Sequence, residues 1–140
     1  MKRRRILVID DNLNATRIVK LGLERVGNYE VRALNEPSQA LTVARDFQPD
    51  LIMLDVCMPD VEGSELAEEI AGDPSFADTP IVFLTSIVTP QEAGKTGTLV
   101  VGSHEYIAKP ARPEIIAACI ERQLALSNRQ HSSAAFISHA

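Results

Sequence analysis

Three runs of apolar residues, RILVID (5–10), LIMLDV (51–56) and IVFLTS (81–86), constrain the fold of this chain more than any other feature. Each is nearly unbroken in aliphatic and β-branched residues, and each carries an acid or a hydroxyl at its carboxyl end. A strand with one wet face alternates apolar and polar residues. An unbroken run of this length fits a strand covered on both faces, which is the habit of parallel sheets. Parallel neighbours cannot be joined by a tight turn and need a crossover, usually a helix.

The segments between the runs have the matching helical period. In 13–26, Ala15, Ile18, Val19, Gly22 and Val26 share a face; in 38–47, Ala40, Leu41, Ala44 and Phe47 do, behind Pro37. Leu66, Ala67 and Ile70 follow in 63–71, and Ile116, Ile120 and Leu124 in 113–126, with Pro113 in the first turn. YEVRAL (29–34) alternates and suits an edge strand, and the short EYIA (105–108) alternates similarly. The order is strand then helix, five times over. It predicts an α/β domain over residues 4–126, a mostly parallel sheet with helices on both faces.

Residues 87–104 break the rhythm. With three glycines and no sustained period, they admit at most a short helix near 90–94, and TLVV (98–101) reads as an extension of the fifth strand. Residues 127–140 read as a frayed tail or an extension of the last helix.

At 140 residues the chain suits one domain with a real core. Its net charge of −5 argues against a direct nucleic-acid partner, and the basic opening MKRRR reads as a solvated lead into the first strand. No stretch approaches the length of a membrane span, and the apolar run after MKRRR is too short for an export signal, so the cytoplasm is the expected compartment. Cys57 and Cys119 lack metal-ligand spacing and lie in apolar segments, where buried free thiols are expected. His104, His131 and His139 are scattered and read as solvated.

The chemistry gathers at one rim. Asp10 and Asp11 close the first strand, Asp55 the third, Thr85 and Ser86 the fourth, and Lys109 follows the fifth. Ligands of open doubly wound sheets bind at the carboxyl ends of the strands, where strand order reverses. Three carboxylates meeting there repel and call for a cation. A hard divalent ion, Mg²⁺ or Mn²⁺, suits oxygen ligands, and Lys109 adds one positive charge. A carboxylate can itself be a nucleophile toward phosphorus, and Asp55 is the candidate. Pro59 and Gly63 shape the turn that keeps it exposed.

The set VIDDN (8–12), LDVCMPDVEG (54–63), FLTS (83–86) and YIAKP (106–110) resembles the receiver domain of two-component response regulators. The resemblance implies a flavodoxin-like five-stranded sheet in the order 2-1-3-4-5. It makes Asp55 the acceptor of a phosphoryl group from a sensor histidine kinase or a phosphotransfer protein. Asp10, Asp11, Asp55 and the Cys57 backbone carbonyl would hold the metal. Thr85, Ser86 and Lys109 would bind phosphoryl oxygens, Tyr106 would be the switch aromatic, and the bond before Pro110 would be cis. Such a domain signals to a downstream output protein or domain, with a homodimer as a possible assembly, and does not act as a metabolic enzyme. The region 87–104 fits the family least, and Cys57 offers no group to steer water, which implies slow dephosphorylation.

Rival readings are weaker. A haloacid-dehalogenase-like phosphatase needs Asp-x-Asp after its first strand, where this chain has Asp10, Asp11 and Asn12. A flavin or nucleotide binder on the same fold would not carry the acid cluster. A degenerate receiver that only binds proteins would not keep the acids, hydroxyl and lysine together. AGKTG (93–97) does not make a phosphate loop, because Thr89 stands where the first Gly is required.

Overall fold

A computed structural model describes residues 2–138, with side chains placed up to Ser127 apart from Pro90. The strands are β1 (Arg4–Ile9), β2 (Tyr29–Leu34), β3 (Leu51–Leu54), β4 (Ile81–Thr85), β5 (Thr98–Val101) and β6 (His104–Ala108). The helices are α1 (Leu13–Val26), α2 (Ala40–Phe47), α3 (Gly63–Ala71), α4 (Pro90–Ala93) and α5 (Pro113–Ser138). One sheet holds all the strands in the order β2-β1-β3-β4-β6-β5.

The unbroken apolar runs are explained by two cores, one on each face. Successive residues of a strand point to opposite sides. Ile6 and Val8 of β1, Met53 of β3 and Val82 and Leu84 of β4 pack with α1 and α5 through Val19, Leu23, Ile116, Ile120 and Leu124. Leu7 and Ile9, Ile52 and Leu54, and Ile81 and Phe83 face the other way, onto Ala40, Ala44 and Phe47 of α2 and Leu66, Ala67 and Ile70 of α3. Burying one such side chain contributes about 1.5–3 kcal/mol, so the double-sided sheet supplies most of the stabilisation.

Among the described residues the sheet has six strands, not five. TLVV does not extend the fifth expected strand; it forms β5, antiparallel to β6, with Thr98 opposite Ile107 and Val101 opposite His104. The two join through Gly102 and Ser103, and Gly102 has φ +62°, a conformation that only glycine adopts without strain in such a tight hairpin. The remaining pairs are parallel, as expected. Helix α4 is a single turn. Thr89 and Glu92 cap it reciprocally, each backbone N–H donating to the other's side chain at 3.2 and 3.1 Å, and Gly94 with φ +68° ends it.

Two expectations about single side chains fail. Ile18 is 69% exposed, and the buried stripe of α1 runs through Thr16, Val19, Gly22 and Leu23, one position round the helix. Cys57 is exposed, because the chain turns out of the sheet directly after Asp55; Cys119 is buried, and both are free thiols. Helix α5 continues through Ser138, across residues whose composition reads as a tail. His104 is half-buried with its ring edge-on to Phe83 at 5.2 Å; His139 lies outside the described residues, as does the His131 side chain.

Candidate functional site

The first turn of α1 begins the site. Asp10 follows β1 and is buried, with one carboxylate oxygen accepting from the Asn12 backbone N–H at 3.0 Å. Asn12 in turn caps α1, its side-chain oxygen accepting from Ala15 N–H at 3.1 Å. The Asp10 carbonyl accepts from the Asn35 amide at 2.8 Å, and the same nitrogen reaches the Thr16 hydroxyl at 3.0 Å. With its own backbone N–H donating to Leu34 O at 3.1 Å, Asp10 is fixed on three sides, and Asp11 beside it is exposed.

Asp55 stands one residue beyond β3, its backbone N–H donating to Ile9 O at 3.0 Å, which ties it to the end of β1. The chain then reverses. Gly63 N–H donates to Val56 O at 2.8 Å, and Cys57 bridges Glu62. Gly63 packs directly on this turn: a Cβ there would overlap the Asp55 carbonyl oxygen and lie 2.8 Å from Val56 Cα. Glycine is required by close approach, with φ playing no part.

Lys109 closes the site from β6. Its backbone N–H donates to Thr85 O at 2.9 Å, continuing the β4–β6 ladder. Its ammonium lies 2.7 Å from one Asp10 carboxylate oxygen and 3.7 Å from an Asp55 oxygen. The Lys109–Pro110 peptide bond is cis. Carboxylate oxygens of Asp10, Asp11 and Asp55 lie within 4.8 Å of one another. Asp55 is held above its ordinary pKa: burial raises it most, Lys109 opposes, Asp10 raises it further, and the backbone N–H groups of Cys57 and Val56 pull it down. One lysine does not neutralise three acids.

Thr85 is buried, and its hydroxyl oxygen accepts from Ile87 N–H at 3.2 Å. Ser86 is exposed and borders an apolar groove shared with Ala15, Ile18, Lys109 and Pro110. Tyr106 is half-buried and stacks on Phe83 at 4.8 Å between centroids, with an interplanar angle of 20°. It also touches a small third cluster of Val88, Ala93, Ala108 and Leu99.

The structure therefore brings Asp10, Asp11, Asp55 and Lys109 together, with Thr85 bonded to the Lys109 backbone, while Ser86 and Tyr106 stand aside from the acids. Two residues outside the predicted set hold this site, Asn12 and Asn35. Asn12 carried a readable cap signal before an apolar-periodic segment; Asn35 carried none, since its partners are distant in the chain. The donor set, all oxygens and strongly acidic, fits a hard divalent cation. Among the described residues no helix is long and apolar enough to cross a membrane.

Residues 6–121 match the family model described as the response regulator receiver domain. The phosphate regulon transcriptional regulatory protein PhoB of Pseudomonas aeruginosa is 35% identical over 119 residues, covering 85% of this chain and 51% of that protein. The DNA-binding response regulator MtrA of Mycobacterium tuberculosis is 30% identical over 128 residues, covering 87% of this chain and 51% of MtrA. The chain thus spans about half the length of these curated relatives. Since MtrA is described as DNA-binding, the comparisons lend no support to the expectation of no nucleic-acid partner. Among solved structures, chemotaxis response regulator CheY4 of Vibrio cholerae superposes with a TM-score of 0.70 at 27% identity, covering 86% of this chain and 98% of CheY4. The α/β fold is flavodoxin-like, with β5 as an added edge strand. The chain belongs to the response regulator receiver family of two-component signal transduction.

Proposed function

We propose that Asp55 is the phosphoacceptor and that this chain receives a phosphoryl group from a sensor histidine kinase or a phosphotransfer protein. The observation that carries the reading is the placement of the Asp55 carboxylate at the sheet rim, 3.7 Å from the Lys109 ammonium and within reach of Asp10 and Asp11.

In the transfer, an Asp55 carboxylate oxygen attacks phosphorus and forms an O–P bond. The P–N bond to the donor histidine breaks, and the imidazole nitrogen keeps the electron pair. Lys109 meets the incoming phosphoryl oxygens and is positioned for this by Asp10 and by its backbone bond to Thr85. Asp10, Asp11, Asp55 and the Cys57 carbonyl would hold Mg²⁺ or Mn²⁺, which when bound supplies the positive charge that the site lacks. The Thr85 hydroxyl accepts from Ile87 N–H and keeps its own proton to donate to a phosphoryl oxygen when it turns toward Asp55, and Ser86 N–H or hydroxyl is next in line. That change at the end of β4 reaches Tyr106 on β6, whose stacking on Phe83 is the packing that a downstream protein or domain would read. The domain spans residues 4–126, with α5 running on through Ser138, and the protein works in the cytoplasm as a signalling phosphoacceptor. Cys57, two residues after Asp55, carries no carboxamide or charge to steer water onto the aspartyl phosphate, which favours a long lifetime.

Incubation with acetyl phosphate and Mg²⁺, followed by intact-mass measurement, tests this. Wild type gains one phosphoryl group and Asp55→Asn gains none. A wild type that gains none, under conditions that preserve acyl phosphates, overturns the reading.

A further inference from the structure

The two edges of the sheet are finished differently. At β2 the central outward-facing residue, Val31, has both backbone groups occupied: its N–H donates to Glu24 at 3.1 Å and its carbonyl accepts from Lys20 at 2.8 Å. Both side chains come from α1 and are paired with each other at 2.9 Å.

The β5 edge has less cover. Ala108 N–H donates inward to Gly97 O, and the β5–β6 register then places Leu99 and Val101 in the ladder with Tyr106 and His104. Antiparallel pairing alternates, so Thr98 and Val100 turn their N–H and C=O groups outward. Those of Thr98 are occupied by the Thr96 hydroxyl, which accepts from its N–H at 3.4 Å and donates to its carbonyl at 3.2 Å. Among the described residues nothing occupies those of Val100, whose side chain is 65% exposed beside Val101 at 53%. Natural edges are usually blunted by lysine, proline, a bulge or a covering element, and Thr98–Val101 carries none of these.

We propose that two copies of this chain pair through β5, antiparallel, about a two-fold axis at Val100. One outward N–H and one outward C=O on the same residue are self-complementary: each Val100 donates to the other's carbonyl. The register that follows sets Val100 against Val100, Leu99 against Val101 on both sides of the axis, and Thr98 against Gly102. Every cross-strand pair at the centre is apolar, and no charged side chain of the strand opposes its copy. Gly102 has open space around its Cα, so the hairpin tip offers no obstruction. The interface is isologous, as two-fold pairing requires. A peptide from another protein would satisfy the same backbone groups but not this symmetric apolar match. A four-residue strand pair is small, so the dissociation constant falls at about 10 µM to 1 mM.

Sedimentation of the full chain across that concentration range tests the proposal. The weight-average mass of wild type rises from 15.3 kDa toward twice that value. Val100→Pro removes only the outward N–H, which proline tolerates on an edge, and Val100→Lys places two charges on the axis. Both variants weaken association by roughly tenfold or more. In a Cys57→Ser background, mild oxidation cross-links Val100→Cys to itself. Val101→Cys does not cross-link, since its copies would stand beyond the roughly 7 Å that a disulfide spans. A wild type that stays at 15.3 kDa to about 1 mM overturns the proposal. So does association that survives Val100→Lys, or a Val101→Cys variant that cross-links as readily as Val100→Cys.

Discussion

Replacing Gly63 by alanine tests how the acid at position 55 is held. The added Cβ would overlap the Asp55 carbonyl oxygen, with Val56 Cα at 2.8 Å and the Asp55 carbonyl carbon at 3.1 Å. All three atoms are backbone, so no side chain can swing aside. Relief requires the turn to open, and that breaks the 2.8 Å bond from Gly63 N–H to Val56 O. Losing the hydrogen bond costs about 1 kcal/mol, and forcing the backbone apart about 1–3 kcal/mol. Alanine returns up to about 1 kcal/mol, because Gly63 opens α3. The net loss is about 1–4 kcal/mol, a fall in Tm of about 3–13 °C for a domain of this size. Gly72→Ala is the control, since its Cβ would meet only carbonyl oxygens at 3.3 and 3.6 Å. Its Tm stays within about 3 °C of wild type, because the tight contact with Glu68 O offsets the gain from a less flexible unfolded chain. Thermal unfolding followed by circular dichroism, with acetyl-phosphate labelling alongside, reads both. The reasoning is refuted if Gly63→Ala melts within a degree or two of wild type and labels at the wild-type rate.

Lys109→Met, which keeps the stem and removes the charge beside the buried Asp10, lowers stability by about 1–3 kcal/mol in urea denaturation. Mg²⁺ at ten times its dissociation constant raises wild-type stability by about 1.4 kcal/mol in a thermal-shift assay, and Asp11→Asn removes most of the gain. Glu105 on β6 is buried, and burial alone raises its pKa, but hydrogen bonds from Thr98, Arg122 and Gln123 outweigh that and hold it below the ordinary 4.5. Its contribution is therefore complete above pH 4.5 and lost as pH falls through the lower native value. Glu105→Gln destabilises at pH 7 by about 1–3 kcal/mol, and urea midpoints of variant and wild type converge below the ordinary glutamate range.

The double-sided core was legible because it obeys a local rule: Ile6 to Ile9 can all be apolar only if both faces are covered. The acid cluster was legible for a related reason, since each member sits at the end of a recognisable run. The β5–β6 hairpin has a signal in Gly102-Ser103 between two β-rich stretches, but TLVV is continuous with EYIA in character, which hides the turn. The exposure of Ile18 is not legible because helical period defines an apolar arc without its centre; packing against Pro113 and the sheet selects the arc through Gly22 and Leu23. The exposure of Cys57 depends on the turn that Gly63 makes with Val56, eight residues of geometry that no single residue announces. Asn35, which holds Asp10, is visible only once β1 and β2 lie side by side.

The hold of Lys20 and Glu24 on Val31 has a bearing on how large an assembly can grow. A sheet open at both margins can add molecules without end, and the product is a fibre. Here the middle of one margin is already plugged by the molecule's own helix, so lateral growth stops after a single joining event. The composition of the complex is thus limited by two side chains at the far side of the molecule from the join.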